Sequence, residues 1–231
     1  MSIIIPTLNE ELYIGRILDY LLYHKDSIQF QIIVVDGGSS DHTKLIAKQF
    51  PVIYLESKIA NRAVQMNIGA NHSTTDLLYF VHADALPPSN FTQLIRNSIE
   101  KGYQYGFFRQ TFDSPNLLLK INSFCTRFHK TWCRGGDQTL YIKKSFFYRL
   151  NAYDESYHIM EEYDLLFRAM KIEPFDVMPA YTLVSARKYS GRSWLQVQLA
   201  NFKAFRSFQN KMDSRTIKAN YIKDLGFSAD L

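Results

Sequence analysis

Cysteine is scarce in this chain: its 231 residues hold two, Cys125 and Cys133. They form no CxxC pair and match no zinc-ligand spacing, which excludes a disulfide framework and fits a reducing compartment. No apolar run approaches the ~18 residues of a membrane span. The N-terminus carries no basic region followed by an apolar stretch, and Ser2-Ile3-Ile4-Ile5 reads directly as a strand. These absences predict a cytoplasmic protein. Neither charge dominates: 27 Lys and Arg against 22 Asp and Glu leave a net +5. That mild excess favours an anionic ligand or surface, without choosing between phosphate, nucleic acid and lipid headgroups. Neither GxGxxG nor GxxxxGK[ST] occurs, which argues against a dinucleotide fold and a P-loop.

What the chain does have is apolar bulk. Hydrophobic residues make up 46% and aromatics 15%, with 17 Phe and 15 Tyr. A chain of this size buries a core without staples, and the aromatics fit either that core or a site that handles rings or sugars. The first hundred residues alternate strand and helix. Strands are expected over Ser2 to Ile5, Gln31 to Val35, Val52 to Leu55 and Leu77 to Val81. Between them fall a helix with the face Ile14, Ile17, Leu18, Leu21 and Leu22, opened by Asn9, and one capped by Asp41. A third runs from Ala60 to Asn71, and a fourth, capped by Ser89, follows the last strand. Such alternation implies an α/β fold with a mostly parallel sheet and helices on both faces. The second half departs from it. Strands are expected over Tyr105 to Phe112, Thr139 to Ile142 and Tyr181 to Ser185. Helices are expected from Ser114-Pro115, over Glu161 to Met170 and over Ser193 to about Gln209, with a polar tail after them.

In open parallel sheets ligands bind at the carboxyl ends of the strands. Here those ends read Pro6-Thr7-Leu8-Asn9, Asp36-Gly37-Gly38-Ser39-Ser40-Asp41 and His82-Ala83-Asp84, all polar or flexible. The glycines allow close approach of a ligand, and Asp36 suits a base or ribose. Asp84, with His82 two residues earlier, could hold a divalent ion of the kind that takes one or two carboxylates plus substrate phosphates. Arg62 suits phosphate. Glu161 and Glu162 open a helix, where acidic residues either serve the dipole or supply a general base.

Together these segments resemble family-2 glycosyltransferases of the GT-A fold, most narrowly the radical-SAM/selenodomain-associated subgroup. The likeness is carried by Ser2 to Glu11, Val34 to Asp41, Arg62 to Ala70, His82-Ala83-Asp84, Gly136-Asp137-Gln138, Met160 to Leu165 and Ser185-Ala186-Arg187, in order across about residues 2 to 221. The resemblance implies a single domain: about 1–100 for the nucleotide, about 101–190 for the acceptor, and about 191–231 as C-terminal helix and tail. It implies a nucleotide pocket of Pro6, Thr7, Asn9, Glu10, Asp36, Arg62 and Asp84. It implies Mg2+ or Mn2+ on Asp84 and His82, where the wider family has a second aspartate. Glu162 becomes the base, one methylene longer than the family's aspartate, with Glu161 behind it, and Asp137 and Gln138 border the acceptor. The implied reaction is inverting transfer of a sugar from a UDP- or GDP-type donor to an acceptor that the sequence does not identify, with no nucleic acid involved.

Two other readings compete. A nucleotidyltransferase would want an Arg-containing, Gly-rich loop after the first strand, where this chain has Pro6-Thr7-Leu8-Asn9. A weak or degenerate domain could instead bind anions or a membrane surface. The last helix supports a peripheral contact with the inner membrane face: it carries Trp194, Leu195, Leu199, Phe202, Phe205 and Phe208 beside Lys203, Arg206 and Lys211.

Overall fold

The structure is a computed structural model, and it describes residues 1–24, 30–135 and 138–226. Its first half is regular: β1 (Ser2–Thr7), α1 (Ile14–Tyr23), β2 (Gln31–Asp36), α2 (Thr43–Ala47), β3 (Ile53–Glu56), α3 (Arg62–His72) and β4 (Leu77–Phe80). There follow β5 (Ala85–Leu86), α4 (Phe91–Glu100), β6 (Tyr105–Phe112), α5 (Leu117–Cys125), β7 (Leu140–Lys143) and α6 (Lys144–Arg149). The last elements are α7 (Glu161–Met170), β8 (Asp176–Val184), α8 (Trp194–Gln209) and α9 (Ser214–Leu225). Short 3-10 turns lie at Thr131–Cys133 and Ala186–Tyr189.

One sheet takes in all eight of these strands in the order β3-β2-β1-β4-β7-β6-β8-β5. β3, β2, β1 and β4 are parallel, with Ile4 of β1 opposite Ile33 and Phe80. β7 runs antiparallel to both β4 and β6, β8 is parallel to β6, and β5 closes the β8 edge antiparallel. The alternation of a strand sorts the core into two layers. Ile3, Ile5, Ile32 and Val34 pack with Ile14, Ile17, Leu18 and Leu21 of α1 and with Phe91 and Ile95 of α4. Ile4 and Phe80 pack on the other side with Ala63, Met66 and Ala70 of α3, Phe146 and Phe147 of α6, and Leu165 and Leu166 of α7. Each large apolar side chain buried this way contributes roughly 1.5–3 kcal/mol. The strand order reverses between β1 and β4, which opens a crevice at their carboxyl ends.

The sequence reading needs correction in several places. Asn9 does not cap α1; it sits at φ +53 and bonds across to Ser39 and Ser40. Asn90, not Ser89, precedes α4, and no side chain caps that helix. β8 begins at Asp176, not Tyr181; Pro179, which offers no N–H, interrupts it and hides its first half, and the register with β6 shifts there, Met178 facing Phe108 and Tyr181 facing Arg109. β5 and α6 are too short to leave a periodic signal. The tail after α8 is largely the helix α9, capped by Asp213 and closed by Gly226 at φ +69. It reads as a polar tail because only Ser214, Ile217 and Leu225 of it are buried.

α3 lies close against the sheet at Gly69, where an added Cβ would stand 2.4 Å from Ile4 Cγ2 and 3.3 Å from Val35 Cγ2. Gly69→Ala is expected to lose about 1–3 kcal/mol by overpacking, even though alanine is the better helix former. A urea titration with an unchanged midpoint would contradict this packing.

Candidate functional site

The loop after β1 is laced to the loop after β2. Asn9 Oδ1 accepts from the Ser40 amide at 2.9 Å, and the Asn9 amide donates to Ser39 Oγ at 2.8 Å. The amides of Glu10 and Glu11 donate to Thr43 Oγ1 and Asp41 Oδ2. Beneath them, Gln65 Nε2 donates to the carbonyls of Thr7 and Val35, both at 2.8 Å. Gly37 leaves room for that amide, since a Cβ there would lie 3.2 Å from it. Pro6, Thr7 and Asp36 are buried, while Asn9 is exposed and Glu10 partly so. Asp36 is already engaged: Ser39 Oγ donates to Oδ1 at 2.5 Å and the Tyr54 hydroxyl to Oδ2 at 2.7 Å. Burial, with that bond and the Asp36 charge, raises the Tyr54 phenol well above its ordinary value, so Tyr54 stays a donor.

The second group centres on the start of α7. Glu161 is 2% exposed, and Glu162 follows at 18% for its side chain. Arg62 Nη1, from the first turn of α3, lies 3.4 Å from Glu161 Oε1 and 3.5 Å from Glu162 Oε1. These are ion-pair distances, and Glu161 Oε1 makes no hydrogen bond. Burial first, then the Glu162 charge, pushes the Glu161 carboxyl up to about 7, with Arg62 pulling the other way. His82 Nε2 lies 3.4 Å from Glu162 Oε1. Burial opposes charge on His82, but Glu162 and Asp84 outweigh it and Arg62, so its pKa is raised.

The approach of these groups rests on amides. Asn61 caps α3 and donates to the carbonyls of Glu155 and Tyr157, at 3.2 and 2.9 Å. Asn67 donates to Tyr153 O and Glu155 Oε1, both at 2.9 Å, and accepts from the Tyr153 amide. α3 thereby holds the segment that leads into Glu161. Arg168, paired with Asp164, donates to the carbonyls of Leu150 and Ala152 and fixes the turn before it.

The third group joins two expected pocket residues, Glu10 and Asp84, through an arginine for which the sequence reading gave no role. Arg187, after β8, donates to both carboxylate oxygens of Glu10, at 2.7 and 2.6 Å, and its Nε lies 2.8 Å from Asp84 Oδ2. Its guanidinium covers the Tyr13 ring at 4.6 Å. Burial opposes its charge, but the two carboxylates outweigh that and hold it cationic. Asp84 and His82 therefore have different partners in this structure, Arg187 and Glu162. Among the described residues, no three His, Cys, Asp or Glu side chains gather to hold a metal ion.

Of the two residues expected at the acceptor, Asp137 lies outside the described residues. Gln138 is 5% exposed, and its amide is engaged within its own loop: it accepts from Arg134 and donates to Cys133 O, both at 2.9 Å. Sequence reasoning also missed Tyr54, Gln65, Asn67 and Tyr153, whose hydroxyl is buried with no hydrogen-bond partner among the described residues. The amide-rich composition of α3 was the one visible signal. On α8, Trp194 bonds to Asn122 of α5, while Phe205 and Phe208 pack on Tyr163 and Phe167 of α7, so these three do not belong to a free apolar face. Among the described residues no helix is long and apolar enough to cross a membrane.

The family model for glycosyl transferase family 2 matches residues 2–157. The succinoglycan biosynthesis protein ExoA of Rhizobium meliloti (strain 1021) is 23% identical over 190 residues, covering 73% of this chain and 57% of that protein. The chain thus spans little more than half the length of this relative. Among solved structures, S. aureus TarS 1-349 in complex with UDP-GlcNAc superposes with a TM-score of 0.64 at 13% identity, covering 97% of this chain and 71% of that one. The mannosyltransferase PcManGT from Pyrobaculum calidifontis, in complex with GDP-Man and Mn2+, gives 0.64 at 18% identity, covering 89% and 64%. These likenesses establish the fold as the GT-A type.

The raised Glu161 carboxyl carries a sign. Its ordinary value is 4.5 and its folded value about 7. Between these the folded state binds the extra proton, so Glu161 lowers stability as pH rises through that window. Glu161→Gln is expected to melt higher than the parent above pH 7, by roughly 2–4 °C per kcal/mol relieved, with the gain shrinking toward pH 5. Equal gains at both pH values would show that Glu161 is not buried as a strained carboxyl.

Proposed function

The chain belongs to glycosyl transferase family 2, and from that premise we propose that it moves a sugar from a nucleoside-diphosphate donor to an acceptor, with inversion at the anomeric carbon. One observation carries the reading: Arg62 stands within 3.5 Å of both Glu161 and Glu162 at the open end of the sheet. A cation suited to a leaving diphosphate thus adjoins a carboxylate that is open enough to take a proton. A donor of the UDP or GDP type is supported by the ligands of the two structural neighbours. The ordered motifs from Ser2 to Arg187 support the radical-SAM/selenodomain-associated subgroup, and two free cysteines support a cytoplasmic setting.

In this reading the chain acts as one unit. Residues 1–100 hold the nucleotide against Pro6, Thr7, Asn9, Glu10 and Asp36. Residues 101–190 border the acceptor, with Asp137 and Gln138 on that side. Glu162 takes the proton of the acceptor hydroxyl as its oxygen attacks the anomeric carbon from the face opposite the diphosphate. The bond from that carbon to the diphosphate oxygen breaks, and its electron pair leaves with the diphosphate, where Arg62 stabilises the growing charge. Glu161, buried behind, keeps Arg62 in place, and His82 orients Glu162. A divalent ion of the Mg2+ or Mn2+ type fits Asp84 as its single carboxylate, with donor phosphates completing the shell. Bound there it would neutralise charge on the diphosphate. To do so it must share Asp84 with Arg187 and draw His82 from Glu162, so the donor set supports weak metal binding. The α8 helix supports a peripheral contact with a membrane.

A thermal-shift panel of UDP, GDP, CDP and ADP, each with and without manganese, tests the donor half. A nucleotide at ~100 times its Kd adds about 2.7 kcal/mol, roughly 5–10 °C for a chain of this size. One nucleotide should give such a shift, and Asp84→Ala should remove any manganese increment. No shift from any of the four at millimolar concentration would overturn the reading. Glu162→Gln should lower kcat by about 10²–10⁴ while the nucleotide shift persists. Equal loss of both would make Glu162 structural.

A further inference from the structure

Two helices of this protein turn a stripe of large apolar side chains outward, away from their packed side. On α5, Leu117, Ile121 and Phe124 are 71%, 54% and 50% exposed. They recur at i, i+4 and i+7, one stripe of a helix, opposite the buried Leu119 and Ser123. Beyond its end, Phe128 and Trp132 are also exposed. α8 repeats the outward stripe: Leu195, Leu199 and Phe202 are 59%, 49% and 59% exposed, opposite the buried Val197, Ala200 and Ala204. The two helices are neighbours. Trp194 Nε1 donates to Asn122 Oδ1 at 3.2 Å, and Asn122 and Gln198 both donate to the Tyr189 hydroxyl, at 3.1 and 3.2 Å. A helix docked only on its own domain turns such a stripe inward, so two outward apolar stripes on neighbouring helices mark a contact.

The charge around the stripes selects the occupant. Residues 114–135 and 193–212 contain no Asp or Glu, yet they carry Lys120, Arg127, Lys130, Lys203, Arg206 and Lys211. Lys203 is shared with Asp224 of α9 at 3.1 Å, and Arg127 covers the Phe124 ring at 3.9 Å. A second copy of the same face would set cations against cations. An anionic bilayer meets both halves of the pattern, burying the apolar stripe to the acyl boundary while the cations rest among the headgroups.

We propose that the α5–α8 face docks this protein in the plane of an anionic lipid bilayer. The face is coupled to the carboxylate helix: Phe205 of α8 packs on Tyr163 of α7 at 5.0 Å, and the Tyr163 hydroxyl donates to Arg134 O, two residues past Trp132. Docking therefore sets the acceptor side of the crevice beside the headgroups. The inference deepens the membrane contact proposed above for α8 and rests on that reading, while exposure and charge carry it whether or not sugar transfer does.

Sedimentation of the full chain with vesicles of phosphatidylcholine, alone or mixed with phosphatidylglycerol, tests it at low and high salt. The protein should pellet with the anionic vesicles only, and high salt should release it. Trp132 fluorescence should shift to the blue on binding, and Trp132→Phe should remove that shift. Ile121→Ser with Phe202→Ser, both on exposed positions, should weaken binding about tenfold or more with the melting temperature unchanged. Protein left in the supernatant at low salt would overturn the proposal. So would equal binding by the double variant, or a dimer in solution that the double variant breaks.

Discussion

Two adjacent carboxylates at the start of one helix, the first 2% exposed, make a demand that much of this fold meets. A buried pair of like charges is costly unless a cation is held against it. Arg62 is that cation, and it can serve only if α3 stays fixed relative to α7. Asn61 and Asn67 spend their side-chain amides on the segment leading into Glu161, and Gln65 spends its own on the ends of β1 and β2. Gly69 lets the helix lie close enough for these bonds to form. α3 is therefore a weakly amphipathic helix whose polar residues face inward, and its order is set by hydrogen bonds as much as by apolar burial.

That arrangement also divides labour between the two glutamates. Desolvation, with the Glu162 charge, raises the proton affinity of Glu161 to about 7, yet Glu161 is too enclosed to meet a substrate. Glu162 is less buried, shares Arg62 and faces His82.

Much of this was legible in the chain, for identifiable reasons. β1, β2 and β4 announced themselves as short continuous apolar runs, buried on both faces as parallel strands are, and α1 and α4 by an apolar face at the helical period. The strand ends followed from topology, and Pro6 to Glu10, Asp36 and His82 to Asp84 all lie at the crevice. What stayed hidden depends on partners far apart in sequence. The Glu10–Arg187 pair spans 177 residues, and Tyr54 reaches Asp36 from the next strand. The resemblance set Gln138 at the acceptor, and nothing local in the sequence shows that buried Arg134 donates to its amide oxygen. The outward stripe of α5 was hidden because periodicity locates an apolar stripe but not which way it faces, and for the same reason the membrane reading of α8 took in Trp194, Phe205 and Phe208, which pack inside.

The Arg187 pair has a further consequence for the crevice. Glu10 rides on the loop after β1, Asp84 on the loop after β4, and Arg187 on the turn after β8, so one guanidinium ties three loops from different parts of the chain. Its bidentate geometry fixes orientation as well as charge. Any cation that takes Asp84 from Arg187 leaves the arginine a single carboxylate and a face on Tyr13, with donors freed toward the same crevice. On the proposed reading a divalent ion at Asp84 would therefore compete with Arg187 for the same carboxylate, and the two cations would exchange there rather than add. Because Arg187 keeps both oxygens of Glu10 in that exchange, the loops after β1 and β8 would stay tied whether or not Asp84 is taken.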